Sequence, residues 1–389
     1  MERIYLDHAA TTKLKPEALQ KMLPYLTDVY GNANSQHFFG REAMEAVDEA
    51  RDYIASAIGA KPSEVYFTSG GTESDNWALK GFVRGAKHRG KHFIISCIEH
   101  PAMIESAKAL EKEGFEATFL PVKEDGVIDL EALKAAIRPD TTFIGIMLAN
   151  NEIGTIEPIK EVVKIAKEHN VPVFTDAVQA APVMRLNVND LGVDAMSFSS
   201  HKFGGPKGMG VLYIRTGRYV EKLITGGHQE RMQRGGTTNV PGVVGMAAAY
   251  RDTVEHMEEN VKKTAALRDR FVSRVRAEIP DVIYNGSETS RVAGNASFSF
   301  RYIEGESILF RMDLAGIAVS SGSACSSGSL EPSHVLLAIG RKVGDAHGTI
   351  RFSFGPENTV EETDYVVDTL KKVVTELRAM SPLYHPEGV

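Results

Sequence analysis

Seven short apolar runs, at residues 64–69, 92–97, 117–120, 142–149, 171–176, 195–199 and 210–214, alternate with amphipathic stretches at 72–88, 101–114, 130–137 and 159–170. That alternation constrains the 389-residue chain more than any other feature. Strands joined by helical crossovers lie mostly parallel, with helices on both faces of the sheet. The runs are continuously apolar, as strands covered on both faces are. The class is α/β. A long helical pattern follows at 241–279. Its second half carries Glu255, Glu258, Glu259, Lys262, Lys263, Arg268, Asp269 and Arg270, which marks a solvated connecting helix. Beyond it, strands are expected at 295–300, 317–320 and 349–354 and helices at 307–314 and 359–377. The expected organisation is a large domain over 15–250 and a smaller α/β domain over 1–14 and 251–389. The smaller domain carries a loop of Ser, Gly and Ala at about 320–333.

The net charge of −7, from 44 basic and 51 acidic side chains, gives no basic excess for a nucleic-acid footprint. No apolar run approaches the ~18 residues that cross a bilayer. Cys97 and Cys325 are the only cysteines, too few for a disulfide framework, which suits a reducing compartment. The opening residues hold no apolar targeting stretch. No membrane partner, no nucleic-acid partner and a cytoplasmic location are therefore expected.

Four segments carry chemistry. Residues 68–76 read Thr-Ser-Gly-Gly-Thr-Glu-Ser-Asp-Asn and join a strand to a helix. They are either an ordinary capped turn or a phosphate seat, where glycines admit a ligand and free N–H groups meet its charge. Asp176 ends a fully apolar strand, where open α/β sheets place ligands. It either caps the next helix or meets a cation, because a lone buried carboxylate is costly. Lys202, in Ser-Ser-His-Lys at 199–202, follows a strand and precedes a glycine-rich turn. It is either a solvated surface lysine or an amine nucleophile in a partly desolvated site, with Ser199 and His201 placed to bind phosphate. Cys325 lies in Ser-Gly-Ser-Ala-Cys-Ser-Ser-Gly-Ser, a stretch too poor in large side chains to be core. It is read as a reactive thiol, whereas Cys97, in Phe-Ile-Ile-Ser-Cys-Ile, is read as a small buried hydrophobe.

As a set these segments resemble the cysteine desulfurases, in the class V aminotransferase-like group of pyridoxal-phosphate enzymes. The likeness covers nearly the whole chain. It includes Tyr-Leu-Asp-His-Ala-Ala-Thr-Thr at 5–12, Asn32 to Ser35 with His37, Ser-Gly-Gly-Thr-Glu at 69–73 and Glu-His-Pro at 99–101. It continues through Asn-Asn-Glu-Ile-Gly at 150–154, Thr-Asp-Ala-Val-Gln at 175–179, the Lys202 segment, and Gly-Gly-Thr-Thr at 235–238 after Arg234. The Cys325 loop, followed by Glu-Pro-Ser-His at 331–334, resembles the long-loop branch, which feeds iron–sulfur and nitrogen-fixation scaffolds.

The resemblance implies an aspartate-aminotransferase-like (fold type I) large domain with pyridoxal phosphate as cofactor. It implies that Lys202 anchors the cofactor and that Gly71, Thr72, Ser199 and His201 hold its phosphate. Thr237 reaches the phosphate of the other subunit of a homodimer. Asp176 pairs with the ring nitrogen, Gln179 contacts the phenolic oxygen, and His100 stacks on the ring and moves protons. Asn151 and Arg351 face the substrate L-cysteine, with Asn32 near the entrance. Cys325 takes the sulfur as a persulfide, is a candidate transient iron–sulfur ligand, and passes sulfur to an acceptor such as an iron–sulfur scaffold. Asn-Ala-Asn-Ser at 32–35 replaces the more usual Asn-Pro-Ser-Ser, and the tail lacks the longer C-terminus of some members, so the acceptor stays open. A selenocysteine lyase, a class V aminotransferase and a non-catalytic assembly subunit are the alternatives; an intact Lys202, His100 and Cys325 disfavour the last.

Overall fold

The structure is a computed structural model that describes residues 3–321 and 331–385. The strands are β1 (Ile4–Tyr5), β2 (Val65–Thr68), β3 (His92–Ser96), β4 (Glu116–Leu120), β5 (Thr141–Gly145), β6 (Val173–Asp176), β7 (Ala195–Ser199), β8 (Gly210–Ile214), β9 (Val282–Tyr284), β10 (Asn295–Phe300), β11 (Ile317–Ala318) and β12 (Thr349–Ser353). β2 to β8 form one sheet in the order β2-β8-β7-β6-β5-β3-β4. Its neighbours pair in parallel except around β8, which runs against both β7 and β2. The expected mostly parallel sheet is present. The reversed strand follows Lys202 through a tight turn rather than through a crossover helix.

Successive residues of each strand point to opposite faces. Phe93, Ile95, Phe143, Phe174 and Leu212 pack into one core with Trp77, Leu79 and Phe82 of a helix over Gly71–Gly85. Ile94, Ile144, Val173, Met196, Phe198 and Val211 pack into the other, with Ala43, Val47 and Ile54 of a helix over Phe38–Ala57. A helix over Pro16–Thr27 packs on the same side. Numbering these helices in chain order, α1 is Pro16–Thr27, α2 Phe38–Ala57 and α3 Gly71–Gly85, and α4 is Pro101–Lys112.

A second sheet, β12-β10-β9, is antiparallel and has its own core of Phe271, Phe298, Phe300, Ile308, Ile350, Phe352 and Leu370. The chain's first strand belongs here: β1 pairs in parallel with β11, and the Leu6 carbonyl accepts from Ser353 N–H at 2.8 Å. Helices Gly305–Leu314 and Val360–Met380 cover this sheet. The last starts with a two-way cap in which the Thr359 hydroxyl accepts from Glu362 N–H and the Glu362 carboxylate accepts from Thr359 N–H.

Three expected elements differ. The helix over 241–279 is two helices, Val240–Glu255 and Met257–Glu278, and the break at His256 is unmarked by Gly or Pro. There the His256 N–H and ring Nδ1 both reach the Asp252 carbonyl, closing the first helix. The strand over 142–149 ends at Gly145. Ile146 and Leu148 still donate to the carbonyls of Phe174 and Asp176, while Ala149 turns to bridge Ile156. Cys97 is half-buried against Ile98, Met147 and Val335 rather than fully buried, and burial pushes its thiol pKa up. No described helix is long and apolar enough to cross a membrane.

The smaller core rests on clustered rings: Phe271 is fully buried, with Phe352 tilted against it at 4.5 Å and Phe354 edge-on at 5.6 Å between ring centroids. Phe271→Ala should cost about 3–5 kcal/mol. Thermal denaturation should show this as a fall in the first transition, and an unchanged melting curve would refute the ring packing.

Candidate active site

The carboxyl ends of the parallel strands converge on one cavity, as open α/β sheets arrange their ligand sites. The cavity is about 230 Å³ and is lined by Ala9, Gly71, Thr72, Asp75, His100, Asn151, Asp176, Gln179, Ser199, His201, Lys202 and Arg351. Each strand delivers its residue at or just past its carboxyl end. Asp176 ends β6, Ser199 ends β7, Gly71 opens α3 after β2, and His100 caps α4 after β3. Four separate expectations, at 71–72, 100, 176 and 199–202, therefore meet in one place.

Asp176 is 5% exposed and its Oδ1 accepts from Val178 N–H at 2.8 Å. Burial pushes its carboxyl up to about 6, against the opposing pull of that N–H and of the Lys202 ammonium. Behind it Asp75, 1% exposed, accepts from Ser197 Oγ at 2.6 Å, and burial together with the Asp176 charge drives its carboxyl well upward. Of the two acids Asp176, nearer the Lys202 charge in effect, is the one that ionises first. Lys202 Nζ donates to the carbonyls of Ala9 at 2.6 Å and Ala10 at 2.9 Å. Gln179 Nε2 donates to the same Ala9 carbonyl at 2.9 Å.

His100 caps α4: its Nδ1 accepts from Ala102 N–H at 3.1 Å. Burial, then the charges of Lys202 and His334, push its pKa down to about 4. The ring is thus neutral at pH 7, and with Nδ1 accepting, its proton sits on Nε2. His201 is held neutral in the same way, its pKa pushed to about 4 by burial, Lys202 and Lys207, with Nδ1 at 3.1 Å from Thr11 Oγ1.

The N-terminus of α3 forms the far wall. Thr11, Ser69, Gly70, Gly71, Thr72, Ser199, His201 and Gly208 surround a hollow there, and the first N–H groups of a 15-residue helix point into it. Gly70 takes φ +153°, a conformation that only glycine adopts readily, and a Cβ on Gly210 would stand 2.7 Å from Gly70 Cα. The turn is built for close approach of backbone and ligand. Arg351, 2% exposed, donates from Nη2 to Asp7 Oδ1 at 2.8 Å and from Nη1 to the Asn151 carbonyl at 2.9 Å.

Two expected residues stand elsewhere in the single chain. Asn32 is exposed and accepts from Asn34 N–H in a local turn. Thr237 is exposed and lines a neighbouring hollow with Thr68, Ser69 and Arg234. Cys325, expected to accept sulfur and to ligate a cluster transiently, lies outside the described residues. Among the described residues no cluster of three His, Cys, Asp or Glu side chains could hold a metal. Sequence reasoning missed Asp75, which sits on a helix among polar neighbours, and the carbonyls of Ala9 and Ala10, which no side-chain pattern reveals.

These residues fit pyridoxal phosphate. A carboxyl pushed up to about 6 by burial is one whose charge this chain's own groups do not fully balance, and a protonated pyridine nitrogen would be a fitting cation for it. At the opposite wall the start of α3 offers N–H groups to a phosphate. Lys202 supplies the amine between them.

The chain is similar to known proteins over nearly its whole length. Residues 4–366 match the family model described as aminotransferase class-V. The cysteine desulfurase IscS of Dictyoglomus turgidum is 51% identical over 379 residues, covering 97% of this chain and 96% of that protein. The human cysteine desulfurase is 46% identical over 98% of this chain and 84% of its own length. Among solved structures, a NifS-like protein superposes with a TM-score of 0.91 at 38% identity over 96% of this chain and 100% of that one. A protein solved as SspA in complex with cysteine gives 0.81 at 34% identity over 92% of this chain and 100% of that one. The converging strand ends and this full-length likeness place the chain in the cysteine desulfurase family of class-V aminotransferases, enzymes that work on pyridoxal phosphate.

Proposed function

We propose that this chain draws sulfur from L-cysteine at the Asp176–Lys202 cavity and passes it, as a persulfide on Cys325, to an acceptor protein. The observation that carries the reading is Asp176, a buried acid whose charge calls for a cation at the floor of a cavity that Lys202 shares. When bound, pyridoxal phosphate supplies the electron sink for the substrate's α-carbon. The rest is done by this chain. Gly71, Thr72, Ser199 and His201 hold the phosphate, Asp176 keeps the ring nitrogen protonated, and Gln179 takes the phenolic oxygen. His100 stacks on the ring and, with its proton on Nε2, donates without adding charge. Lys202 anchors the group and serves as base for the α-carbon proton. Arg351 grips the substrate carboxylate beside Asn151, and Asn32 stands near the entrance. Because Asp7 already meets Arg351, that carboxylate shares or displaces an existing contact. The Cys325 thiolate attacks the substrate sulfur, an S–S bond forms as the C–S bond breaks, and the carbon skeleton leaves as alanine. Atoms balance: cysteine and the Cys325 thiol become alanine and the Cys325 persulfide.

The acceptor we assign is an iron–sulfur assembly scaffold, as the IscS name of several relatives implies, with Cys325 as a transient ligand to the nascent cluster. The working unit is a homodimer in a reducing compartment such as the cytoplasm. α1 supports the dimer: Leu19, Leu23 and Leu26 are 44%, 48% and 56% exposed on one face, near the exposed Tyr30 and Phe38. The exposed Thr237 would reach the phosphate of the second copy. The large domain spans 15–250, and 1–14 joins 251–389, consistent with the pairing of β1 to β11.

Cys325→Ala should keep the visible cofactor band and lose alanine production from cysteine by on the order of 10³-fold, as loss of a nucleophile does; alanine release at the native rate would sink the assignment. Leu23→Glu should shift the protein towards monomer in sedimentation, and an unmoved dimer would show that α1 lies elsewhere. Asp176 gives a pH signature. Its folded pKa of about 6 lies above the ordinary 3.8, so in cofactor-stripped protein its contribution is intact below pH 4 and is lost as pH rises through about 6. Stripped Asp176→Asn should therefore melt higher than stripped wild type at pH 8 and not below pH 4, while binding pyridoxal phosphate more weakly. Equal melting at pH 8 would show that the buried charge costs nothing.

A further inference from the structure

Three consecutive non-glycine residues, Glu230, Arg231 and Met232, hold the left-handed backbone conformation, with φ of 44°, 54° and 63°. Single residues with a Cβ visit that region in turns, but runs of them crowd Cβ against the next carbonyl and persist only where their surroundings impose them. Glu230 shows what imposes this one. Its Oε2 and Oε1 take Nη1 and Nη2 of Arg51, each at 2.8 Å, and Oε2 also accepts from Phe67 N–H at 3.0 Å. The pair is buried, with side chains 9% and 6% exposed, and the Arg51 guanidinium lies 4.5 Å from the Phe67 ring centroid. Arg51 Nη1 and Arg231 Nη2 both donate to the Val65 carbonyl at 2.7 Å, and the Arg231 guanidinium covers the Tyr66 ring at 4.3 Å. Val65 and Phe67 belong to β2, the edge strand of the large sheet. The turn thus caps with side chains the peptide groups that another strand would take.

The chain leaving this turn is tied down once more. Arg234 pairs in two-armed fashion with Glu73 on α3, at 2.8 and 3.0 Å, and Glu73 Oε2 accepts from Ser69 N–H at 2.8 Å. Gly235 N–H closes the strap on the Ile224 carbonyl at 3.0 Å. Thr237 follows two residues later, exposed and outside the Lys202 cavity. We infer that Arg51 and Glu230 are positioning residues that hold the strained turn so as to present Thr237 to the phosphate seat of a second copy. The inference rests on the reading of Thr237 given under Proposed function. Without the clamp, the turn relaxes towards ordinary backbone angles and carries Thr237 off its position.

Mixed dimers of two differently tagged subunits test this. Lys202→Ala abolishes the visible cofactor band of its own site, so the band reports only the other subunit. With Glu230→Gln on the Lys202→Ala subunit, pyridoxal phosphate added to stripped dimer should bind about tenfold more weakly, the worth of a hydrogen bond to a charged acceptor. With Glu230→Gln on the reporting subunit instead, affinity should stay within about twofold. Met232→Gly, added beside Glu230→Gln, should restore most of the lost affinity, because glycine takes the left-handed turn unaided. Equal weakening from both placements, or weakening from the reporting side alone, overturns the proposal. Unchanged affinity with Glu230→Gln opposite, while Thr237→Ala opposite still weakens binding, overturns the clamp and leaves the reading of Thr237 standing. If Thr237→Ala opposite changes nothing, both fall. Should Glu230→Gln fail to form dimers, Arg51→Lys, which keeps the charge but not the two-armed grip, must show the same asymmetry.

Discussion

The carbonyls of Ala9 and Ala10 take the Lys202 ammonium, and the segment they belong to is the one that ties the site together. Residues 7–12 run between the two sheets and bond to both. Ala9 N–H donates to Ser353 Oγ, Thr12 Oγ1 donates to the His201 carbonyl, Asp7 takes Arg351, and Gln179 donates to the Ala9 carbonyl. A short segment without regular structure therefore fixes Lys202, Gln179, His201 and Arg351 relative to one another. Its own position comes from β1, which pairs with β11 more than 300 residues along the chain. The walls of the cavity therefore depend on a pairing between residues far apart along the chain.

Strand-end chemistry was legible in the sequence because three signals coincide there. A continuous apolar run ends, a glycine or helix start follows, and a charged residue appears where burial would otherwise forbid it. Asp176 is a charge at the end of such a run, Gly71 opens a helix after one, and Ser199 to Lys202 end a run, bring a charge and lead into glycines; the structure gathers them into one cavity. The sense of β8 was not legible, since an apolar run reads the same in either direction. The break at His256 was hidden because its cause is a histidine reaching back to a carbonyl rather than a helix-breaking residue. Arg351 needed a family likeness, since an arginine in a strand has no spacing signature and its partners Asp7 and Asn151 are far away in sequence. The left-handed run at Glu230 had no glycine to announce it, because a buried ion pair does there what glycine does elsewhere.

Low dielectric decides which groups around the cavity carry charge. Burial pushes His100 and His201 down to about 4, leaving both rings neutral at pH 7, and drives the Asp75 carboxyl well upward. Asp176 is the acid of that pair that ionises, facing Lys202. A phosphate seated at α3 would then be met by N–H dipoles and a neutral imidazole, and a substrate carboxylate by Arg351. Fixed dipoles need no counter-charge that a falling pH could switch on, so anion binding at this seat should vary little across the neutral range. A neutral His100 matters for the same reason. An imidazolium beside the Lys202 ammonium would raise the cost of both charges, whereas a ring with its proton on Nε2 donates a hydrogen bond and leaves the lysine's charge to Asp176 and two carbonyls. The α4 cap, by occupying Nδ1 with the Ala102 N–H, is what selects that tautomer, so a helix start chosen for folding also sets the direction in which His100 can give a proton.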